Sequence, residues 1–145
     1  MEYKRIVLTD EDKDSLMVDA AYLLNVSFLV RQNGIFYVED EIEGLEDEFF
    51  KMAYKLMISS AKPKDVKQII YNLIHSSYTS DAHYVKMCMQ ADALFMMGIH
   101  PIYFINIALF SYFGLEYKME YRSKLKILLP NLDEALFQND NFIGM

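Results

Sequence analysis

The chain has 145 residues, of which 53% are apolar, and this is enough for one domain with a sizeable core. Its 21 acidic and 14 basic residues give a formal net charge of −7. That charge argues against nucleic acid as a partner, because phosphate backbones bind clustered Lys and Arg. The lone Cys88 cannot form an internal disulfide, and the first residues lack the apolar stretch of a signal peptide. We therefore expect a single cytoplasmic domain over residues 1–145.

The composition favours helix over strand. Only five glycines and three prolines interrupt the chain, and few segments alternate with the period of two that a half-buried strand requires. Residues 6–8, Ile-Val-Leu, are the one candidate strand, without an obvious partner. We predict an all-α fold, a multi-helix bundle built from helical hairpins.

The first helix is predicted to begin after Thr9, a favourable N-cap residue that three acidic residues follow. Apolar residues continue from Leu16 to Val30 with Asp19 as the only charge, which predicts a mostly buried helix. The segment VRQNGIFYVEDE then leads into a block of carboxylates. Here we predict that Gly34 is a kink or a close-packing position within a helical region.

Two more helices are predicted on either side of a break near Lys62. PKDVKQIIYNLIHSS carries apolar residues on one face and has Pro63 in the first turn, where proline is favoured. The preceding segment predicts a helix with three acidic residues in its first turn. Its apolar stripe consists of Leu45, Phe49, Met52, Ala53 and Leu56.

A weak internal repeat appears when the chain is shifted by 38 residues, which aligns the segment from Ala53 with the segment from Ala91 at four identities in seventeen. Both segments resemble a helix, a break, a proline and a second helix. The shift predicts two related helix-turn-helix halves, at about 45–78 and 81–114. After them we expect a polar helix over 116–128 stopped by Pro130, a short turn over 132–137, and a flexible tail over about 138–145.

An uncharged segment covers residues 93–115, and its 23 residues are long enough to span a bilayer. Gly98, His100 and Pro101 lie near its middle. These residues would need special accommodation in lipid, whereas in a soluble domain they mark a turn between two core helices. We favour the soluble core and keep a membrane-associated protein with 93–115 inserted as the alternative.

No motif indicates catalysis, a metal or a cofactor. The three histidines lack HExxH spacing and a CxxC companion. The block from Glu39 puts carboxylates at positions 1, 3 and 5 of a calcium loop and Gly44 at position 6, but Phe50 stands at position 12, where a bidentate glutamate is required. Neither a Gly-rich phosphate loop nor G-x-S-x-G occurs. We therefore expect no enzyme, no cofactor and no metal, and we expect Cys88 to be a packed core thiol.

The segment from residue 31 to 39 follows the pattern R-x-x-G-Φ-x-x-Φ-E, through Arg31, Gly34, Ile35, Val38 and Glu39. This pattern resembles the segment after the second membrane helix of the flagellar stator protein family MotA, and the resemblance extends over roughly residues 24–129. In the family, two membrane helices separate the two cytoplasmic halves. Here only a short turn over 76–81 joins them. The resemblance therefore implies a relative of the rotor-facing cytoplasmic region and does not imply ion conduction.

In that family, the arginine and the glutamate of the pattern contact the rotor switch protein FliG. The resemblance implies that Arg31 and Glu39, with the neighbouring Asp40, Glu41 and Glu43, form a docking surface for FliG or another motility component. On an ideal helix, Arg31 and Glu39 would lie about 80° apart around the axis and share one exposed surface. From spacing alone, the alternative is that Arg31 closes a helix C-terminus and Glu39 belongs to a solvated acidic face.

Together these observations favour a non-catalytic, protein-binding helical module in the cytoplasm, with the inner face of the membrane as an alternative position. A generic helical adaptor whose resemblance to a motility protein is accidental is a further alternative. Ten methionines, ten phenylalanines and eleven tyrosines also supply enough apolar surface for a homodimer interface.

Overall fold

Helices account for all the regular structure in the computed structural model, which describes residues 6–96, 101–113 and 118–130. No strand occurs in these ranges, so the prediction of an all-α helical bundle is confirmed, and residues 6–8 form no strand. The helices are α1 (Asp10–Asn33), α2 (Glu39–Glu43), α3 (Glu48–Met57), α4 (Pro63–Ser77), α5 (Asp81–Phe95), α6 (Pro101–Tyr112) and α7 (Lys118–Leu128), and a 3₁₀ turn (Ile35–Val38) lies between α1 and α2.

Helix α1 is the central element of the bundle, and it contacts α5, α6, α7 and the 3₁₀ turn. It begins at a capping box in which the Thr9 hydroxyl accepts from the Asp12 N–H, and the Asp12 carboxylate accepts from the Thr9 N–H, both at 3.0 Å. Ser27 is buried in the core, where its hydroxyl donates to the Leu23 carbonyl at 2.8 Å. An ion pair between Asp14 and Lys124 joins α1 to α7.

Gly34 ends helix α1 and does not kink it. Its N–H donates to the Val30 carbonyl at 2.7 Å, and its backbone then adopts φ 92° and ψ 162°. The prediction that Gly34 is a kink or a close-packing position within a helical region is therefore wrong, since the helix ends here and an added Cβ would meet no heavy atom within 4 Å. A residue with a Cβ atom adopts this backbone conformation only at a cost in free energy, so glycine stabilises the exit of the chain from the helix at this position.

The 3₁₀ turn after Gly34 separates its apolar side chains between core and solvent. Side chains three residues apart eclipse one another in a 3₁₀ helix, so Ile35 and Val38 both face the interior, and Val38 is fully buried. The two residues between them, Phe36 and Tyr37, are 63% and 61% exposed. A run of four apolar residues therefore leaves two aromatic rings in solvent.

Helix α3 begins later than its apolar stripe predicts. Asp47 is the N-cap residue, and its Oδ1 accepts from the Phe50 N–H at 3.0 Å. The buried residues are Phe50, Ala53 and Tyr54, while Met52 is 42% exposed. The predicted stripe included Met52 and omitted Phe50 and Tyr54, because the helix packs against α5 with a face rotated from the one that begins at Leu45.

The remaining helices follow local sequence signals. Helix α4 begins at Pro63 and buries Val66, Ile70 and Ile74. Helix α5 begins after Ser80, whose hydroxyl accepts from the His83 N–H at 3.1 Å. Helix α3 contacts α4, and α5 contacts α6, within the segments for which two helical hairpins are predicted. The relatedness of the two halves stays a prediction.

The uncharged segment 93–115 is divided between two helices, since α5 ends at Phe95 and α6 covers only Pro101–Tyr112. Among the described helices, none combines the length and the apolar character needed to cross a bilayer. His100, the turn predicted over 132–137 and the tail predicted over 138–145 lie outside the described residues.

Replacing Gly34 with alanine tests the role of its backbone conformation. A Cβ atom added at Gly34 would meet no heavy atom within 4 Å, so the cost comes from φ 92° and not from a clash. We expect Gly34→Ala to lower the free energy of unfolding by about 1–3 kcal/mol in urea denaturation.

Gly44→Ala is the matched control, because Gly44 has φ −78° and ψ −7° and its added Cβ would meet only ordinary contacts at 3.5 and 3.6 Å. This variant should match the wild type or be more stable by up to about 1 kcal/mol. Equal destabilisation by the two variants would contradict the assignment.

Candidate functional site

Two exposed aromatic residues and four exposed carboxylates lie next to one another on the 3₁₀ turn and α2. We call this surface the acidic edge, and its residues are Phe36, Tyr37, Glu39, Asp40, Glu41 and Glu43. Helix α2 has only five residues, and Ile42 is its one buried side chain. The rest of the helix therefore presents its carboxylates to solvent.

A buried tyrosine holds the 3₁₀ turn against α3. The Tyr54 hydroxyl donates to the Ile35 carbonyl at 2.6 Å, and the Tyr54 side chain is fully buried. Burial raises the pKa of Tyr54, and the charges of Glu39 and Glu43 raise it further. The hydroxyl therefore stays protonated and keeps its role as a donor, which fixes the turn that carries the exposed rings.

Two carboxylates of the acidic edge have partners within the fold. Glu41 accepts a hydrogen bond from the Tyr22 hydroxyl at 3.3 Å. Burial raises the pKa of Tyr22 to about 12, and Glu41 contributes through its charge and this hydrogen bond. Glu43 forms an ion pair with Lys55 at 3.2 Å. These contacts attach α2 to α1 and α3.

The other predicted docking residues remain available to a partner. Arg31, Glu39 and Asp40 are exposed, and none forms a side-chain hydrogen bond or an ion pair with the part of the chain that the structure describes. Arg31 lies in the last turn of α1, where its positive charge interacts favourably with the negative, C-terminal end of the helix dipole.

The angle predicted between Arg31 and Glu39 requires a correction. The two residues lie on either side of Gly34, on α1 and at the start of α2. No continuous helix joins them, so the value of about 80° for an ideal helix does not apply. All five predicted docking residues are exposed, and their use by a partner stays a prediction.

A second feature is a cleft of about 180 Å³ between α1, the segment before α3, α3 and α5. We call it the Gln90 cleft, and its lining residues are Asp19, Tyr22, Leu23, Leu45, Asp47, Phe50, Lys86 and Gln90. Tyr22 lines the cleft and also donates to Glu41. The cleft and the acidic edge therefore adjoin.

Asp47 joins the polar groups of the cleft to the backbone of α3. While its Oδ1 caps α3, its Oδ2 accepts from Gln90 Nε2 at 2.7 Å. Lys86 Nζ lies 3.7 Å from Asp47 Oδ2 and 3.9 Å from Asp19 Oδ1. These separations exceed hydrogen-bond length, so Lys86 compensates the two carboxylates only in part.

One buried polar atom in the Gln90 cleft lacks a hydrogen-bond partner, and burial affects a second group. Gln90 is only 5% exposed, and its Oε1 is buried without a hydrogen-bond partner, which costs about 1–3 kcal/mol for a typical polar group. Burial raises the pKa of Asp19, Lys86 opposes the shift and Asp47 adds to it. The single charge at Asp19 within an apolar run is a sequence signal for this site. No local feature of the sequence predicts that Asp47 pairs with Gln90.

A third polar cluster lies between α5 and α6. The Tyr112 hydroxyl donates to Asp92 Oδ2 at 3.0 Å. Burial raises the pKa of Asp92 to about 6, although the hydrogen bond from Tyr112 and the positive charge of Lys67 lower it.

Cys88 is buried nearby, as expected, and burial together with the charge of Asp92 raises the pKa of its thiol to about 11. A thiol that stays protonated at neutral pH is a weak nucleophile, so this cluster does not resemble a catalytic cysteine site.

Metal ligation has no support in the described residues, since no group of three or more His, Cys, Asp or Glu side chains there is arranged to hold an ion. The carboxylates of the acidic edge are exposed on a short helix, and they form no such group.

In comparisons with known proteins, no protein-family model, curated protein or solved structure matches the chain. The resemblance of residues 31–39 to the stator family therefore stays a prediction.

Replacing Asp92 with asparagine tests the buried carboxylate. Folding raises the pKa of Asp92, so the folded state is favoured while this carboxyl group is protonated. The stabilisation is complete below about pH 4 and is lost as the pH rises to about 6. Asp92→Asn keeps an acceptor for Tyr112 without the charge. We expect the variant to differ little from the wild type at pH 4 and to be more stable at pH 7.5, by on the order of 2 kcal/mol.

Urea denaturation at the two pH values measures this difference, and Tyr112→Phe is the companion variant. It removes the donor that stabilises the ionised Asp92, so its destabilisation should be larger at pH 7.5 than at pH 4. A pH-independent effect of Asp92→Asn would contradict the assignment.

Proposed function

We propose that the protein is a non-catalytic helical module that binds a partner protein through the acidic edge, with Arg31 at its border. The observation that carries the proposal is the exposure of Phe36 and Tyr37 on a turn that a hydrogen bond from the buried Tyr54 holds in place. Exposed aromatic rings on a rigid support supply contact area at low entropic cost and are frequent anchors of protein interfaces.

The charges of the acidic edge favour a basic partner. Glu39 and Asp40 have no partner among the described residues, and the whole chain carries a net charge of −7. Such a surface accelerates encounter with a positively charged surface and orients it, while the aromatic rings provide most of the affinity. We therefore propose as occupant a protein segment that presents Lys or Arg beside an apolar side chain.

The sequence resemblance supports testing a motility component first. Residues 31–39 resemble the stator segment that contacts the rotor switch protein FliG, which makes FliG the first candidate partner. The same proposal includes a cytoplasmic location, either free in the cytoplasm or at the inner face of the membrane. The generic adaptor stays the alternative, because contact through the acidic edge needs only a basic and apolar partner.

Charge reversal at Glu39 tests the docking surface. Purified FliG and peptides selected from a random display library on the immobilised protein serve as the probes. We expect the selected peptides to be rich in Lys and Arg, and we expect Glu39→Lys to weaken binding about 10-fold, with a loss that shrinks as salt concentration rises. Calorimetry at two salt concentrations measures both effects.

Asp65→Lys is the matched control, since it makes the same charge change at an exposed residue in the first turn of another helix, α4, which packs on α3 and α5. The double variant Phe36→Ala/Tyr37→Ala should cost at least about 30-fold in affinity, as expected for residues that dominate an interface. Equal effects of Glu39→Lys and Asp65→Lys, or unchanged binding of the aromatic double variant, would refute the docking surface. If peptides bind and FliG does not, the generic adaptor is retained and FliG is rejected as the partner.

A further inference from the structure

Gln90, one of the lining residues of the Gln90 cleft, carries a buried acceptor without a donor, and two carboxylates and an apolar wall line the same cleft. Gln90 Nε2 already donates to Asp47, so the group left unpaired in this buried amide is the Oε1 acceptor. Any molecule that improves the site must therefore bring an N–H or O–H donor to it. This requirement excludes ligands that carry only acceptors.

The charge of the cleft selects among possible donors. Asp19 and Asp47 carry two negative charges and Lys86 carries one positive charge, which leaves one net negative charge in the lining. Lys86 lies at 3.7 and 3.9 Å from these carboxylates and is 38% exposed, so it can move towards solvent. A donor that also carries a positive charge therefore complements the cleft better than a neutral one.

The size and the wall of the cleft limit the rest of the ligand. A volume of about 180 Å³ is below the roughly 300–1,000 Å³ of pockets for drug-sized molecules. Leu23, Leu45 and Phe50 supply an apolar surface beside the polar groups. A single aliphatic chain that ends in a cationic donor matches both features.

We propose that the Gln90 cleft binds a primary ammonium group on an aliphatic chain, with Gln90 Oε1 and the carboxylates of Asp19 and Asp47 as its acceptors. The ammonium can belong to a free alkyl amine or to a lysine side chain of a protein segment at the adjoining acidic edge. The second source rests on the proposed function, and the first does not.

Titration of the full chain with n-butylamine tests the site. The readouts are NMR shifts of the Gln90 side-chain amide and the melting temperature. We expect saturable binding in the millimolar range. n-Butanol, which lacks the charge, and butyrate, which reverses it, are the matched ligand controls and should bind at least about 10-fold more weakly. Tighter binding of butyrate than of n-butylamine would overturn the proposal, because it would make Lys86 the recognition element.

Three variants separate recognition from folding. Asp19→Asn keeps the side-chain shape and should weaken n-butylamine about 10-fold, and Gln90→Met, which removes the acceptor, should weaken it similarly. Lys86→Met removes the competing cation and should strengthen binding several-fold, an effect that a purely structural role would not produce. Asp65→Asn is the control and should bind as the wild type does. The assignment is overturned if Asp19→Asn leaves the affinity for n-butylamine unchanged and Lys86→Met weakens it. This outcome decides the matter even if Gln90→Met fails to fold.

A lysine-containing peptide distinguishes the two sources of the ammonium. If a peptide selected on the acidic edge loses affinity both when its lysine is replaced by norleucine and in Asp19→Asn, then its lysine occupies the Gln90 cleft. If n-butylamine binds but Glu39→Lys leaves peptide binding unchanged, the docking surface fails and the amine site stands. If n-butylamine fails to bind while Glu39→Lys still weakens the peptide, the amine site fails and the docking surface stands.

Discussion

The backbone conformation of Gly34 determines where the acidic edge lies. Because φ is 92° at this residue, α1 ends and the chain enters a 3₁₀ turn that packs back against α1. If the helix continued, Phe36 and Tyr37 would occupy different positions around its axis, and the contact between Tyr54 and the Ile35 carbonyl would be lost. Two features of the proposed docking surface, its exposed rings and its rigid support, therefore depend on one residue without a side chain.

Asp47 has a comparable role for the Gln90 cleft. One of its oxygens satisfies the N-terminus of α3, and the other accepts from Gln90 on α5. The cap thereby fixes the position of the carboxylate, and the carboxylate fixes the amide of Gln90 with its oxygen unpaired. A buried polar group without a partner costs stability, and such a group beside two carboxylates and an apolar wall is the feature that indicates a ligand.

The ideal-helix geometry predicted for Arg31 and Glu39 is wrong, although their exposure follows from the sequence. Arg31, Glu39 and the carboxylates that follow are exposed, yet the helix that was expected to join them is interrupted. Exposed charges and their order along the chain can be read from sequence, because a dense run of carboxylates rarely enters a core. Their relative orientation follows from the backbone at one glycine. Phe36 and Tyr37 were not predicted, because an apolar run does not reveal its exposed members until the 3₁₀ geometry is known.

The sequence by itself determined the fold class and several helix boundaries. Thr9 and Pro63 mark helix starts at the predicted positions, and α7 ends at Leu128, just before Pro130, because caps and prolines act within a single turn. The tertiary structure alone decided which face of α3 is buried, since packing against α5 selected Phe50 and Tyr54 over Met52. It also decided the pairs Asp47 with Gln90 and Asp92 with Tyr112, which are 43 and 20 residues apart. Such contacts depend on how helices pack, and no local signal in the chain records that arrangement.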